Sequence, residues 1–175
     1  SYTTFEQTLK SVDVDLANRT VTAEVDVKNT GDVAGKDVVQ LYASTPYTDY
    51  DKEHLVEKAA VQLLDYEKTD ELAPGESTKV TITADAQDMA SWDSTAANEA
   101  GTTGNYILDA GDYYFTIGNG AHDAVNNVLA AQGYSESNGM TSAGDAVNVK
   151  SWNLAAMDTT TFARTENGTA VENQL

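Results

Sequence analysis

The chain has 175 residues, no cysteine, and 28 acidic against 10 basic residues, for a formal net charge of −18. The absence of cysteine excludes disulfides and thiolate metal sites, and is compatible with a cytoplasmic or an exported protein. The negative charge argues against nucleic acid or an anionic membrane as a partner. The acids are scattered, which is typical of a solvated surface; adaptation to high salt is the alternative interpretation.

Targeting signals are not evident in this sequence. No apolar run reaches the roughly 20 residues of a membrane span, and no signal-peptide pattern opens the chain. Because the chain begins at Ser1 and not at Met, we expect it to be a fragment of a longer protein.

The first half of the chain is predicted to form strands. Residues 21–27 alternate apolar and polar side chains, which is the period of a strand with one buried face. A turn with two glycines follows at 29–35, then a strand at 36–44 and a loop at 45–53. A second pair of strands is predicted at 60–66 and 77–84. The dipeptide Pro74-Gly75 forms the turn that leads into the last of these strands.

Beyond residue 85 the pattern weakens. Residues 87–104 are polar, with Trp92 as their one bulky residue, and are predicted to form a long loop that contains at most a short strand. Residues 106–108 and 112–118 are predicted to form a hairpin. Short strands at this spacing indicate an all-β sandwich. Its predicted core contains five side chains: Val25, Leu41, Leu64, Ile82 and Phe115.

One short helix interrupts the strands. Five apolar residues recur at helical spacing, which predicts a helix over 121–132 with one apolar stripe: Ala121, Ala124, Val125, Val128 and Leu129. That stripe must be covered by the sandwich or by a partner domain. Residues 147–154 alternate weakly, and the last twenty residues are predicted to form an edge strand or a linker. We therefore expect a sandwich over residues 1–120, and a helix and C-terminal extension over 121–175 that packs on the sandwich or leads out of it.

Four segments in order resemble one known family. They are SYTTFEQ from Ser1, VDVKNTGDVAGKDVVQLY from Val25, VEKAAVQLLDYEKTDELAPGES from Val56 and AGDYYFTIGN from Ala110. Together they are similar to the fibronectin type III-like domain, an immunoglobulin-like β-sandwich, of glycoside hydrolase family 3 enzymes, the β-glucosidases and their relatives. The tail ending in Glu172-Asn-Gln-Leu175 resembles a subgroup in which the catalytic barrel follows this domain.

The resemblance implies an accessory role. In that family the aspartate nucleophile lies on the barrel domain and the acid/base on an α/β-sandwich domain, so this chain is expected to be non-catalytic by itself, with no cofactor and no metal. Its expected partners are those two domains of a parent glycosidase that hydrolyses O-glycosyl bonds. Specificity for a glucoside, xyloside or other substrate would lie outside this chain.

Four aromatic residues are the candidates for a substrate-proximal or docking site: Tyr47, Tyr50, Trp92 and Trp152. Exposed rings stack on sugars, so the alternative function is an autonomous carbohydrate-binding module, whereas buried rings would plug the sandwich or a domain interface. A binding module needs a coplanar row of exposed aromatics, and the alternation of the strands predicts no such row. A cell-surface adhesion domain is a third hypothesis that rests on fold analogy alone.

Other chemistry finds little support in the sequence. Carboxylate pairs such as Glu24/Asp26 are expected on solvated strand faces, and the histidines, His54 and His122, have no triad spacing. Acids alternate at residues 49–53, but the glycine and the closing glutamate of a calcium loop are missing.

Overall fold

The computed structural model describes residues 2–138, 140, 142–164 and 169–171. Within them the chain forms two α-helices, three short 3-10 helices and nine strands, which fold into an all-β sandwich, as predicted. In chain order the elements are β1 (Phe5–Asp15), β2 (Thr20–Asn29), β3 (Val38–Ser44), α1 (Asp49–Glu53), β4 (Gln62–Lys68), β5 (Ser77–Asp85), β6 (Ser91–Ala97), β7 (Thr103–Ile107), β8 (Gly111–Ile117), α2 (Ala121–Ala131) and β9 (Val149–Leu154).

The first sheet has the strand order β1-β2-β5 and is antiparallel throughout. Its centre is β2, where Val25 lies opposite Leu9 of β1 and Val80 of β5. The strict alternation of β2 places valine and alanine side chains in the core, because successive side chains of a strand point to opposite faces. The edge strand β1 carries a bulge between Leu9 and Ser11.

The second sheet has the strand order β4-β3-β8-β9. Strand β9 pairs antiparallel with β8, with Trp152 opposite Tyr113. A segment beyond residue 121 therefore contributes a strand to the sandwich. A domain boundary near residue 120 stays a prediction, and the tail residues Glu172 to Leu175, on which the domain-order resemblance rested, lie outside the described residues.

The core lies between these two sheets. All five predicted core residues belong to one cluster of buried side chains, so the inward-facing register of the strands is confirmed. Tyr113, Phe115 and Ile117 of β8 also point inward, as the alternation predicts. Further large members of the cluster are Leu9, Val21, Val27, Val39, Leu72, Met89, Leu108 and Phe162.

Two predicted pairings are wrong. Residues 106–108 do not form a hairpin with β8, because β7 pairs with β6 in a separate two-stranded sheet, with Tyr106 opposite Trp92. The predicted loop over 87–104 thus contains β6. Likewise β4 and β5 are not a pair, since β4 pairs with β3 in one sheet and β5 with β2 in the other. The turn at Pro74-Gly75 leads into β5 as predicted, with Gly75 at φ 80°.

Helix α2 packs against β8 and β3 of the second sheet, so the chain itself covers the helix. Ala124 and Val128 of the predicted stripe are buried, whereas Ala121 is exposed. Asn127 is buried as well, because its Nδ2 donates to Ile117 O at 2.9 Å and its Oδ1 accepts from Asp145 N at 2.8 Å. Neither helix among the described residues is long and apolar enough to cross a membrane.

Candidate functional site

A loop of fifteen residues connects β3 to the segment before β4, and we call residues 45–59 the 45–59 loop. It contains the one-turn helix α1, which the sequence did not predict. Thr48 caps this helix: its Oγ1 accepts from Asp51 N at 3.3 Å, and Asp51 Oδ2 accepts from Thr48 N at 3.0 Å. This reciprocal capping box satisfies two backbone donors that would otherwise lack partners. It also fixes the side chain of Asp51, which points inward.

Three ionisable side chains meet beneath the 45–59 loop, and we call Asp51, Lys58 and Asp109 the buried triad. Lys58 Nζ lies 2.9 Å from Asp51 Oδ2 and is in direct contact with Asp109 Oδ2. The ammonium also donates to the backbone oxygen of Pro46. The side chains of Lys58, Asp51 and Asp109 are 6%, 0% and 1% exposed. The triad therefore ties the two ends of the loop to the segment between β7 and β8.

The two carboxyl groups at the Lys58 ammonium differ in their affinity for a proton. Burial, followed by the interaction in which protonated Asp109 donates to the Asp51 carboxylate, raises the pKa of Asp109 to about 6. For Asp51, burial acts in the same direction, but hydrogen bonds from Asp109, the Thr48 backbone and Lys58 outweigh it and lower the pKa. Asp51 Oδ1 and Asp109 Oδ1 have no conventional donor among the described residues. Below about pH 6 Asp109 takes up a proton, and the neutral Asp109, the ionised Asp51 and the Lys58 ammonium then form a triad without net charge.

A second polar cluster holds the helix α1 against β6. The hydroxyl of Tyr50 donates to Asp93 Oδ2, and Asp93 Oδ1 accepts from Thr95 N at 2.9 Å. Burial raises the pKa of Tyr50 to about 12, with the Asp93 carboxylate adding to the effect. His54 stacks on Tyr50 with ring centroids 3.9 Å apart, and its Nδ1 is 3.8 Å from Asp93 Oδ2. The loop is thus held at both of its sides by buried polar contacts.

The outer surface of the 45–59 loop is apolar at two positions. Leu55 is 87% exposed and Tyr47 is 56% exposed. Leu55 also has φ 57°, a conformation that costs energy in a residue with a side chain. Beside them lies a cavity of about 380 Å³ lined by Tyr47, Val56, Glu57 and Lys58. Leu55 and Tyr47 thus add exposed apolar area to a loop that is anchored from beneath by the buried triad.

The four candidate aromatics do not come together. Trp152 packs edge-on against Tyr113, with centroids 5.1 Å apart, beside the core. Trp92 packs edge-on against Tyr106 at 4.9 Å. Tyr50 is engaged with Asp93 and His54, as described above. Of the four, Tyr47 alone belongs to the large exposed hydrophobic residues, and the Lys52 ammonium lies 5.8 Å from its ring centroid.

The alternating acids of the loop do not gather around a common point. Asp49 and Glu53 are exposed, whereas Asp51 is buried against Lys58. Among the described residues no group of three histidine, cysteine, aspartate or glutamate side chains is placed to hold a metal ion.

The sequence did not single out Lys58 and Asp109. Lys58 is part of the motif that begins at Val56, and Asp109 occupies a predicted turn, where aspartate is common for conformational reasons. They are separated by 51 positions, so no local pattern connects them. A lysine that precedes an apolar strand gives only a weak signal of burial.

Comparison with known proteins identifies a family that this part of the chain resembles. Residues 37–121 match the family model described as the fibronectin type III-like domain. The chain contains a fibronectin type III-like domain. The resemblance found in the sequence motifs is confirmed, and the loop, the triad and β8 all lie within the matched range of this Fn3-like domain.

The relatives of the chain are much longer than the chain itself. Beta-glucosidase A of Butyrivibrio fibrisolvens is 40% identical over 111 residues, which are 63% of this chain and 12% of that protein. A beta-glucosidase of Ruminococcus albus is 37% identical over 127 residues, 71% of this chain and 12% of that protein. A crystal structure of a beta-glucosidase from Paenibacillus barengoltzii superposes with a TM-score of 0.60 at 26% identity, over 90% of this chain and 15% of that one. The chain thus corresponds to about an eighth of these relatives.

Proposed function

We propose that this chain is the accessory, domain-docking module of a longer glycosidase of the β-glucosidase type. Its Fn3-like domain stabilises the catalytic domains of that enzyme, which the family resemblance identifies as a barrel and an α/β-sandwich domain. The 45–59 loop is the docking surface. Residues 1–120 form the module proper, and residues 121–175 add the helix and β9 that complete its second sheet.

The observation that carries this proposal is the small share of the relatives that the chain represents. It spans 12% of two beta-glucosidases at 40% and 37% identity, so the remainder of such a polypeptide is available as a partner. Leu55 and Tyr47 supply apolar contact area on a loop that also exposes the acidic side chains of Asp49 and Glu53. Interfaces between domains of one chain are typically polar with a small apolar centre, which matches this surface.

The alternative function, an autonomous carbohydrate-binding module, needs a platform of exposed rings. Tyr50, Trp92 and Trp152 are each engaged by neighbouring side chains, and Tyr47 alone does not make a row. The docking function therefore accounts better for the placement of the aromatics.

Deleting this chain from the full-length parent enzyme tests the proposal. We expect the truncated enzyme to lose activity at a lower temperature than the intact enzyme, while its catalytic carboxylates remain in place. Adding the separately produced chain should restore part of the lost stability, because the docking surface is preformed. A truncated enzyme that is as stable and active as the parent would contradict the docking role.

A sugar-binding assay separates the two functions. The isolated chain should not be retained on immobilised glucan or xylan. Retention that disappears in Tyr47→Ala or Tyr50→Ala would instead establish the carbohydrate-binding alternative.

A further inference from the structure

We propose that the Fn3-like domain cross-links itself through a covalent amide bond between the side chains of Lys58 and Asp109, with Asp51 as the group that accepts and transfers the protons. This would be an intramolecular modification site formed by the fold alone. It is independent of the docking role proposed above.

Proximity is the first argument. Lys58 Nζ contacts Asp109 Oδ2, so the nucleophilic nitrogen lies next to the carboxyl group, whose carbon is one bond beyond that oxygen. Asp51 Oδ2 is 2.9 Å from the same nitrogen. All three positions are fixed by the protein: Asp51 by the capping box of α1, Lys58 by Pro46 O, and Asp109 by the chain between β7 and β8. Groups held in this way react with effective concentrations far above those in free solution.

Burial is the second argument. The three side chains are at most 6% exposed, so neither carboxyl group is solvated by bulk water. An ion pair in such a place carries a desolvation cost that a neutral product would not carry. Two carboxyl oxygens, Asp51 Oδ1 and Asp109 Oδ1, have no conventional donor in the described part of the chain. The ionic arrangement is therefore incompletely satisfied.

The protonation states assign the roles. A neutral carboxyl group can lose water, whereas a carboxylate is a poor electrophile. Burial and the neighbouring Asp51 raise the pKa of Asp109 to about 6, so Asp109 is the group that is readily protonated. The pKa of Asp51 is lowered, so Asp51 stays ionised, and its Oδ2, 2.9 Å from the Lys58 nitrogen, is the nearby carboxylate oxygen available as proton acceptor. Asp109 is accordingly the electrophile and Asp51 the base.

The reaction balances without any added reagent. The Lys58 ammonium transfers one proton to the Asp51 carboxylate, and the resulting amine attacks the side-chain carbon of Asp109. The new nitrogen–carbon bond forms, the carbon–hydroxyl bond breaks, and the hydroxyl leaves as water with a second proton from the nitrogen, relayed by Asp51. The products are a neutral amide, one water molecule and a protonated Asp51. No charge remains in the triad, and the carboxyl group of Asp51 can donate a hydrogen bond to the new amide oxygen.

The released water has space beside the site. Lys58 lines the cavity of about 380 Å³ beside Tyr47 and also a cavity of about 140 Å³ whose lining includes Trp92 and Asp88. Both volumes exceed the space that a water molecule needs. Removal of the water from the buried site opposes the reverse hydrolysis.

The intact mass of the purified, folded chain tests the proposal. The cross-linked protein should weigh about 18 Da less than its sequence, the mass of one water. Lys58→Met removes the nucleophile and should return the mass to the value of its sequence. Asp51→Asn keeps both reacting groups but removes the base, and should abolish or greatly slow the loss of mass. Lys79→Met, at an exposed lysine 3.5 Å from Glu24, is the matched control and should retain the deficit.

Digestion locates the bond. Tandem mass spectrometry should find one branched peptide pair that joins Lys58 to Asp109. The fraction of this peptide that is cross-linked should equal the fraction of the intact protein that shows the mass deficit. A folded wild-type chain with its full sequence mass would overturn the proposal. A deficit that persists in Lys58→Met, or a cross-link to Asp51 in place of Asp109, would overturn the assignment of the bond and of the roles.

Discussion

Replacing Asn29 by alanine should destabilise the fold by about 2–4 kcal/mol, although the residue contacts no proposed site. Its side chain is fully buried and makes four hydrogen bonds. Oδ1 accepts from Thr3 Oγ1 at 2.7 Å and from Gly31 N at 3.0 Å. Nδ2 donates to Val33 O at 2.9 Å and to Leu72 O at 2.8 Å. The amide thus joins the start of the chain, the turn after β2 and the segment before β5.

The size of the destabilisation depends on whether each former hydrogen-bond partner of Asn29 finds another partner after the substitution. Four hydrogen bonds at about 0.5–1.5 kcal/mol each give an upper range near 6 kcal/mol. Water can reach the partners at Thr3, Gly31 and Val33, which are not fully buried. Leu72 O retains the bond from Gly35 N at 3.1 Å. These compensations reduce the expected loss to about 2–4 kcal/mol. Asn29→Asp should cost at least as much, because a carboxylate oxygen would then face two carbonyl oxygens.

Urea unfolding followed by tryptophan fluorescence measures this effect, since Trp92 and Trp152 are both present. The matched control is Asn18→Ala at an exposed turn, where the side-chain amide donates to Asp15 Oδ2 at 2.7 Å; it should change the free energy of unfolding by less than about 0.5 kcal/mol. Equal stabilities of Asn29→Ala and Asn18→Ala would refute the reasoning.

Two further outcomes are expected for the isolated chain. Phe115→Ala should cost about 3–5 kcal/mol, because its ring is fully buried between the sheets, whereas Leu63→Ala at an exposed position of β4 should cost far less; a loss below 0.5 kcal/mol at Phe115 would mean that the register of β8 is wrong. For Asp93, burial alone would raise the pKa, but hydrogen bonds from Tyr50 and Thr95 outweigh it and lower the pKa below 3.8. The stability it contributes is therefore present above pH 3.8 and is lost as the pH falls through the lowered value. In Asp93→Asn the free energy of unfolding should fall less steeply as the pH is lowered in the acidic range. The same pH dependence in the variant and the wild type would show that protonation of Asp93 is not linked to folding.

The strands with one buried face were predictable from the sequence. Strand β2 alternates without interruption because it is the centre of its sheet and has a fully buried side. Strand β1 gave no such signal: it is an edge strand with a bulge after Leu9 and only that residue is buried. Strand β6 was hidden because its buried residues, Ser91 and Asp93, are polar. A periodicity of apolar residues cannot find a strand whose inward side chains are hydrogen-bonded polar groups.

The buried triad was not predictable, because it depends on contacts between distant segments. Lys58 lies in one connection and Asp109 in another, and the fold brings these connections together. Tyr47 and Tyr50 were chosen as equivalent candidates, yet Tyr50 lies within α1 and donates to Asp93, whereas Tyr47 precedes the helix cap at Thr48 and is exposed. The sequence did not predict α1, so it could not distinguish the two positions.

The docking account is tested most directly at Leu55, which contacts solvent in the isolated chain and would contact another domain in the parent enzyme. Leu55→Asp should leave the unfolding free energy of the isolated chain within about 0.5 kcal/mol of the wild type, because no buried contact is lost. In the full-length enzyme the same substitution should lower the temperature of inactivation, whereas Val147→Asp, at another exposed apolar residue, should not. An unchanged inactivation temperature for Leu55→Asp in the full-length enzyme would contradict the assignment of the 45–59 loop as the docking surface.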